Sequence, residues 1–212
     1  MHRWPRSPAG WFSGTALNEL TTPPAALQRA PRAPRRDAVR NYHRILDAAR
    51  EVLGESGADA CMEEIAARAG VGVGTVYRRF ASKEALIDEL LRLALVEVTA
   101  ATYRALARTD GYGLHELLRA FGQSFADHAR YANLLLGRPT DPSTGHQIRA
   151  AIEELTARAA AAGTVHPGIT ARDVMELVWA LRGLVQAAED VAPARWQRFL
   201  DIHLAGMRAS GR

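Results

Sequence analysis

The sequence predicts an all-α protein in which an N-terminal helix-turn-helix domain of three helices is joined by a long helix to a second helical domain. Three observations predict this. Beyond residue 37 the helix formers alanine, leucine, arginine and glutamate dominate the composition. Proline nearly disappears until Pro139, and no stretch shows the sustained alternation with β-branched residues that a strand would need. We therefore expect three parts, at residues 1–36, 37–98 and 99–212.

Composition and charge exclude several classes of protein. The 212 residues carry 27 basic and 23 acidic side chains, a net charge of +4, and the hydrophobic fraction of 48% is enough for a buried core. A single cysteine excludes an internal disulfide and a multi-cysteine zinc site. No run of about 18 apolar residues occurs. The first residues also lack the apolar core of a secretory signal, so we expect a cytoplasmic protein without a membrane span.

The first 36 residues differ from the rest of the chain. They hold six of the ten prolines, and six arginines against one glutamate, so this segment carries +5 and the remainder −1. Because scattered proline prevents a continuous helix, we interpret the segment as a disordered basic tail. Two interpretations stay open: its arginines follow a DNA backbone or minor groove, or it is a solvated leader or the product of a start codon placed too early.

Glycines and capping residues bound the helices of the first half. Gly54 and Gly57 are expected to end the first helix, Gly70 ends the second, and Ser82 caps the fourth. The predicted helices cover residues 37–53, 62–69, 73–80 and 83–106. One apolar face of the first helix is expected to be buried: Ile45, Ala48, Ala49, Val52 and Leu53.

The second half of the chain is also predicted to be helical. Gly111 and Gly113 interrupt the chain, and residues 137–145, with Pro139 and Pro142, form a predicted loop. The helices predicted here cover residues 114–136, 146–162, 170–189 and 193–208. The third of them is apolar on two faces, one with Val174, Leu177, Val178, Leu181 and Val185, the other with Met175, Trp179, Arg182 and Gln186. A helix of this kind packs on two sides, against a core or pocket and against a second subunit.

The two short helices have the spacing of a helix-turn-helix. Ala66 allows a close crossing, Gly70 accepts the left-handed turn four residues later, and Val76 anchors the second helix after six more. Ile65 and Val71 are expected to pack under the pair. The outer face of the second helix then offers five residues to a nucleic-acid groove: Val73, Thr75, Tyr77, Arg78 and Arg79.

Local charge supports a nucleic-acid partner. Residues 68–83 contain four basic residues and no acid, although residues 37–100 carry a net charge of −3. Guanidinium groups suit phosphates and guanine edges, and the Tyr77 hydroxyl can donate to a phosphate. Lys83 lies in the first turn of its helix, where free backbone N–H groups also favour a phosphate. The alternative is a generic pair of short helices with solvated arginines.

Residues 64–86 resemble the DNA-binding domain of the TetR family of bacterial transcriptional regulators. The family's order of motifs is present: an IAxxAGV turn, a GTxYxxF recognition helix and an SKExL helix start. The resemblance covers about residues 37–98. It implies that the recognition helix enters the major groove of double-stranded DNA. It further implies phosphate contacts from Thr75, Tyr77 and Lys83, and base reading by Val73, Thr75, Arg78 and Arg79.

Two positions depart from the family pattern. Cys61 stands where the family usually has a threonine that caps the helix and touches phosphate, and Gly72 stands where serine or alanine is common. Both changes remove a contact or rigidity, so DNA affinity is expected to depend more on arginines. Cys61 is either a redox sensor with a lowered thiol pKa, beside a helix N-terminus and Arg68, or a small packed residue.

For the second half, the resemblance implies a regulatory domain that binds a small-molecule effector and forms a homodimer. Residues 195–208 resemble the last helix of such regulators. His128 lies on an apolar stripe and is either a ligand contact or a hydrogen-bonded core histidine. The candidate ligand-binding residues are Phe121, Phe125, His128, Met175, Trp179 and Arg182. Pairing the last two helices with their copies would build a four-helix bundle, unless these helices only close the core of a monomer.

The sequence thus predicts a ligand-responsive, dimeric repressor of a pseudo-palindromic DNA operator, whose half-sites lie about 34–36 Å apart. The alternative is a structural DNA-binding protein without an effector, whose second half only dimerises. We expect no enzyme, because paired-carboxylate helix motifs, H-E-x-x-H and Gly-rich phosphate loops are all missing from the sequence. No metal or cofactor is expected.

Overall fold

The computed structural model describes residues 35–135, 138, 141–187 and 193–208, so most of the predicted tail lies outside the described residues. Contacts divide the chain into Met1–Val39 and Arg40–Arg212, and everything discussed below concerns the second unit.

All regular elements of the described part are helical, as the sequence predicts. The α-helices are α1 (Arg35–Ser56), α2 (Met62–Ala69), α3 (Val73–Arg79), α4 (Lys83–Ala107), α5 (Gly113–His128), α6 (Ala132–Leu135), α7 (Pro142–Ala161), α8 (Ala171–Gln186) and α9 (Pro193–Gly206), with 3-10 turns at Gly57–Asp59 and Ala129–Tyr131. None of the described helices combines the length and apolarity that a membrane span requires.

Helices α1 to α3 and the start of α4 enclose a first hydrophobic cluster. The apolar face predicted for the first helix is buried in this cluster, with every member less than 5% exposed. Gly57 ends the helix as predicted, but Gly54 does not, because α1 continues past Leu53 and through Gly54 to Ser56. Gly54 has a packing role instead, since a Cβ there would lie 2.9 Å from the Cβ of Arg130. The helix ends where Gly57 adopts a left-handed φ of 56°.

Helix α4 belongs to two hydrophobic clusters. The Ser82 hydroxyl caps it as predicted, accepting a hydrogen bond from the backbone N–H of Ala85 at 3.2 Å. Near its start, Leu86 and Leu90 are buried in the first cluster. Near its end, Val98 and Ala105 are buried in the second. One continuous helix therefore connects the two cores rigidly.

The single helix predicted for residues 114–136 is broken after His128. The chain there forms the 3-10 turn Ala129–Tyr131 and then the short helix α6. The turn places Tyr131, only 3% exposed, in the first cluster, and Leu134 and Leu135 pack against the same cluster. The apolar spacing continues through the break, so burial of these side chains against a distant part of the chain explains it. Leu136 lies outside the described residues.

The later helix ends depend on capping residues. Helix α7 begins at Pro142, which the sequence assigned to a loop, because the Asp141 carboxylate accepts a hydrogen bond from the N–H of Ser143 at 2.9 Å. Proline is well tolerated there, since an N–H in the first turn has no helical partner. Thr170 and Asp173 form a reciprocal capping box at the start of α8. The predicted end of this helix at residue 189 lies outside the described residues.

The second hydrophobic cluster is formed by the later part of α4 and by α5, α7, α8 and α9. The stripe predicted on the third helix of this half, from Val174 to Val185, is buried there. Helix α9 contributes Trp196, Leu200 and Leu204, all less than 5% exposed. The Trp196 ring lies so close to Gly122 of α5 that an added Cβ would overlap it. The absence of a side chain at residue 122 thus allows α9 to dock on α5.

We expect Gly122→Ala to lower the free energy of unfolding by about 1–3 kcal/mol, because the new methyl group must displace the Trp196 ring. This loss would occur although alanine is the better helix former by about 1 kcal/mol. Urea unfolding followed by circular dichroism measures it. Gly145→Ala in α7 is the matched control, since its nearest neighbour, the Arg149 guanidinium, lies 3.8 Å away. Equal stabilisation by both substitutions would contradict the docking role.

Candidate nucleic-acid interface

Helices α2 and α3 are joined by a turn at Gly70. Its backbone is left-handed, with φ 62° and ψ 40°, and its N–H donates to the carbonyl of Ala67 at 3.1 Å. The N–H of Val71 donates to Ala66 at 3.0 Å, which completes the end of the helix. Arg44 of α1 donates to the Gly70 carbonyl at 3.2 Å. The turn is therefore held by its own backbone and by an arginine from α1.

The second helix of the pair, α3, is anchored by one apolar side chain. Val76 is fully buried, beside the buried Ile65 and Ala66 of α2 in the same cluster. Gly72 lies at the N-cap, and its carbonyl accepts a hydrogen bond from the N–H of Thr75 at 2.8 Å. Burial of Val76 fixes which face of α3 points inward, and the opposite face is left for a groove.

The outer face of α3 has the composition that the sequence predicts. Val73 and Tyr77 are 39% and 46% exposed, and Arg78 is exposed between them and the helix end. Thr75 is partly buried. No residue in the described part of the chain forms an ion pair or a hydrogen bond with Arg78. Its guanidinium is therefore free to meet a phosphate or a guanine edge.

Arg79 does not share this exposure, although it is the next residue. Its guanidinium carbon lies 4.6 Å from the centre of the Tyr42 ring and 5.8 Å from that of Phe80. The side chain is partly buried, and its Nε has no hydrogen-bond partner among the described residues. Arg79 was predicted to lie on the outer face, whereas in the structure the aromatic rings hold its guanidinium against α1. Base reading by Arg79 stays a prediction.

Lys83 is also engaged within the chain. Its ammonium group donates to the backbone carbonyls of Ala58 at 2.5 Å and Ala60 at 2.9 Å. These carbonyls belong to the segment between α1 and α2, so the lysine ties the start of α4 to that segment. Two of its three donors are used, which leaves one for a phosphate. The predicted phosphate contact by Lys83 stays a prediction, with a structural role beside it.

Arg68 forms ion pairs with two glutamates of α1. Its guanidinium lies 3.0 Å from a carboxylate oxygen of Glu51 and 2.8 Å from one of Glu55. The hydrogen bond from Arg68 holds the pKa of the Glu55 carboxyl below its usual value. All three side chains are exposed, so the pairs stabilise the fold little. Four basic residues were predicted to form one positive surface. Arg68 and Lys83 are bound by other groups of the chain, and Arg79 is stacked on an aromatic ring.

Cys61 is exposed at the N-cap of α2 and makes no side-chain capping hydrogen bond. It is therefore not the small packed residue of one interpretation. Arg68, which was to lower its thiol pKa, is instead paired with glutamates. A redox role for Cys61 stays a prediction.

The residues predicted to bind a ligand fall into two groups. Phe121 and Phe125 stack in the second cluster with ring centres 5.9 Å apart, and Met175 packs against the same cluster. Trp179 is 58% exposed, and the Arg182 guanidinium lies 5.5 Å from its ring. A tryptophan this exposed does not line the interior beside Phe121 and Phe125, and ligand binding by the six candidate residues stays a prediction.

His128 has a structural role in the break after α5. Its Nδ1 lies 2.5 Å from the carbonyl oxygen of Ser124, and its ring meets the edge of Tyr131 with centres 5.7 Å apart. The side chain is 8% exposed. These contacts match the hydrogen-bonded core histidine, one of the two interpretations left open by the sequence.

An exposed apolar face remains on the last two helices. Trp179 of α8 and Ile202 of α9 are each 58% exposed, and a Cβ at Gly183 would meet no atom within 4 Å. A shallow groove runs along α9, lined by Ala194, Gln197, Arg198, Asp201, Ile202 and Ala205. The inner faces of both helices are meanwhile buried in the second cluster.

Two family models match the chain. Residues 45–90 match the model described as bacterial regulatory proteins, tetR family. Residues 111–209 match the model of the C-terminal domain of SbtR-like transcriptional regulators. A search of curated proteins gives no match.

Solved structures give further likenesses. The TetR transcriptional regulator SCO0520 from Streptomyces coelicolor is 30% identical, with 80% of this chain and 99% of that chain covered and a TM-score of 0.59. A TetR transcription regulatory protein from Mycobacterium vanbaalenii is 28% identical, with 82% and 98% covered and a TM-score of 0.55. The ketosteroid transcriptional regulator KstR2 of Mycobacterium tuberculosis is 23% identical, with 81% of this chain and 96% of that chain covered and a TM-score of 0.60. This last likeness shows only that the two proteins have the same fold.

Proposed function

The chain belongs to the TetR family of bacterial transcriptional regulators and is a DNA-binding regulator, and from this premise we propose that it is a dimeric repressor which a small molecule releases from a pseudo-palindromic operator. The observation that carries the proposal is the outer face of α3. There Val73, Tyr77 and Arg78 are exposed, while Val76 on the opposite face is fully buried. A rigid helix that presents one such face suits the major groove.

A homodimer is supported by the faces of α8 and α9. Their inner faces already close the core of the single chain, so the exposed Trp179 and Ile202 on their outer faces need another explanation. A second copy would cover them and build a four-helix bundle about a two-fold axis. Two-fold symmetry also places two recognition helices on half-sites one helical turn apart, which supplies the specificity that one short helix lacks.

Ligand response is supported by the connections between the two clusters. Helix α4 has side chains buried in both clusters, and Tyr131, in the 3-10 turn after α5, lies in the first cluster. Arg138 adds an ion pair of 2.5 Å with Asp88 of α4. A ligand beside Phe121 and Phe125 would move α5 and, through these contacts, α3. It would change DNA affinity only as far as it prefers one arrangement over the other.

The chemistry of the ligand follows from the second cluster. Phe121 and Phe125 belong to an apolar cluster, and the two threonines that are buried in the described part of the chain, Thr102 of α4 and Thr156 of α7, donate to backbone carbonyls of their own helices. We therefore propose an apolar effector with few polar groups. Proteins of the same fold include a gamma-butyrolactone receptor and a ketosteroid transcriptional regulator.

Selection of duplexes from a randomised DNA library by the purified chain tests the proposal. The selected sequences should contain an inverted repeat with half-sites about 34–36 Å apart. Binding of all duplexes with equal affinity would contradict it and favour the structural DNA-binding protein without an effector. A panel of apolar small molecules is then added to the complex, and release of the duplex by at least one of them is expected.

A further inference from the structure

We infer that Arg79 is a positioning residue, which fixes the recognition helix against α1 and α4 through Tyr42 and Glu89, so that of the two adjacent arginines only Arg78 reads DNA. The inference rests on the proposed DNA-reading role of α3. It reassigns a residue for which both the sequence spacing and the motif predict a base contact. The two arginines differ in their surroundings, and the contacts of Arg79 carry the inference.

The first contact is a stack. Arg79 is the last residue of α3, and its guanidinium carbon lies 4.6 Å from the centre of the Tyr42 ring. The Tyr42 ring in turn stacks on Phe80, with centres 6.1 Å apart and planes inclined by 25°. Phe80 is 6% exposed and belongs to the first cluster. The planar guanidinium therefore covers an aromatic pair that joins α1 to the end of α3.

The second contact is a chain of hydrogen bonds to α4. The Tyr42 hydroxyl donates to the Glu89 carboxylate, which also accepts hydrogen bonds from Arg92 at 2.7 and 2.9 Å. Burial raises the pKa of the Glu89 carboxyl. The hydrogen bonds from Arg92 and Tyr42, together with the positive charges of Arg92 and Arg79, outweigh this effect and hold the pKa below its usual value. Glu89 is thus a carboxylate at neutral pH, and it attracts Arg79 toward α4.

These contacts determine how α3 lies relative to the helix that connects the two clusters. Arg78 and Arg79 point about 100° apart around the helix, because successive residues of an α-helix are separated by that angle. Arg78 is exposed and has no described partner, whereas Arg79 is partly buried and stacked. Moving Arg79 to DNA would break the stack on Tyr42 and leave part of an aromatic pair uncovered.

A double-mutant cycle between Tyr42 and Arg79 tests the inference on the full chain. The probe is a duplex selected by the unaltered protein from a randomised library. Arg79→Ala and Tyr42→Leu should each weaken binding about ten-fold, and the double variant should be no weaker than either, since both remove the same contact. Tyr42→Phe keeps the ring under the guanidinium but removes the hydrogen bond to Glu89, so its affinity should lie between those of the unaltered protein and Tyr42→Leu. Arg79→Lys keeps the charge but loses the planar stack, and should behave like Arg79→Ala.

The base preference of binding separates positioning from base contact. Arg78→Ala should relax the selected sequence at the base pair that it reads in each half-site, while Arg79→Ala should weaken binding to matched and mismatched duplexes alike. Additive losses in the cycle, full rescue by lysine, or relaxed selectivity at one base pair for Arg79→Ala would overturn the inference. Binding is measured below the melting temperature of every variant, so that unfolding is not mistaken for a loss of DNA affinity. If the unaltered chain selects no duplex, the proposed function fails instead.

Discussion

Replacing Arg78 by alanine is expected to weaken binding to the selected duplex by about 2–6 kcal/mol, while the protein stays folded and dimeric. One arginine contact to a base edge contributes about 1–3 kcal/mol, and a two-fold dimer makes it twice. The large effect is expected because Arg78 is the one basic residue of the predicted positive surface without a partner in the described part of the chain. Loss of its guanidinium therefore breaks no described contact within the fold.

Fluorescence anisotropy with a labelled duplex measures the loss, and thermal unfolding checks stability. Arg172→Ala is the matched control, because Arg172 lies on α8 with its side chain 87% exposed and pairs only with the nearby exposed Glu176 among the described residues. The control should leave affinity and melting temperature unchanged. An unchanged dissociation constant for Arg78→Ala would refute the placement of this face of α3 on DNA.

The helix-turn-helix could be predicted closely because its determinants are local. The bounds of α2 agree with the prediction, since the glycine that ends it is needed at a left-handed position whatever surrounds it. Ser82 likewise caps α4 through a backbone N–H only three residues away. Signals of this kind lie within a few residues of the structure that they determine, and a single sequence contains them.

The electrostatics of the site could not be predicted in the same way. Arg68 pairs with glutamates 13 and 17 residues away, Lys83 bonds carbonyls 23 and 25 residues away, and Tyr42 reaches Glu89 across 47. A count of charges along the chain treats such residues as free. Only the packing of α1 against α2, α3 and α4 shows which cation is left for a partner.

Helical periodicity also could not show which side of a helix faces inward when both sides are apolar. Met175, Trp179 and Arg182 recur at helical spacing and were candidates for ligand binding, yet Trp179 is 58% exposed. The spacing through residues 114–136 suits one long helix, yet burial of Tyr131 breaks it. In both cases contacts with distant residues decide the outcome, and these contacts leave no local pattern.

Ile202→Glu is expected to convert the protein into a monomer at micromolar concentration. In the proposed dimer each copy of this side chain is covered by the partner, and an unpaired carboxylate there would be desolvated at a large cost. In the single chain Ile202 is 58% exposed, so the same substitution leaves the fold intact. Light scattering should give the mass of one chain, 23.1 kDa, instead of twice that value.

The same variant should lose operator affinity by about two to four orders of magnitude, because the second half-site is no longer held at a high effective concentration. Its α3 surface is unchanged, so weak binding to a single half-site should remain with the salt slope of one subunit. Tyr112→Glu, at a side chain 50% exposed before α5, is the control and should stay dimeric. A dimer that survives Ile202→Glu would mean that this face of α9 is not the interface. Since Arg78→Ala spares the dimer and Ile202→Glu spares the reading face, the two variants together separate the contribution of base contacts from that of symmetry.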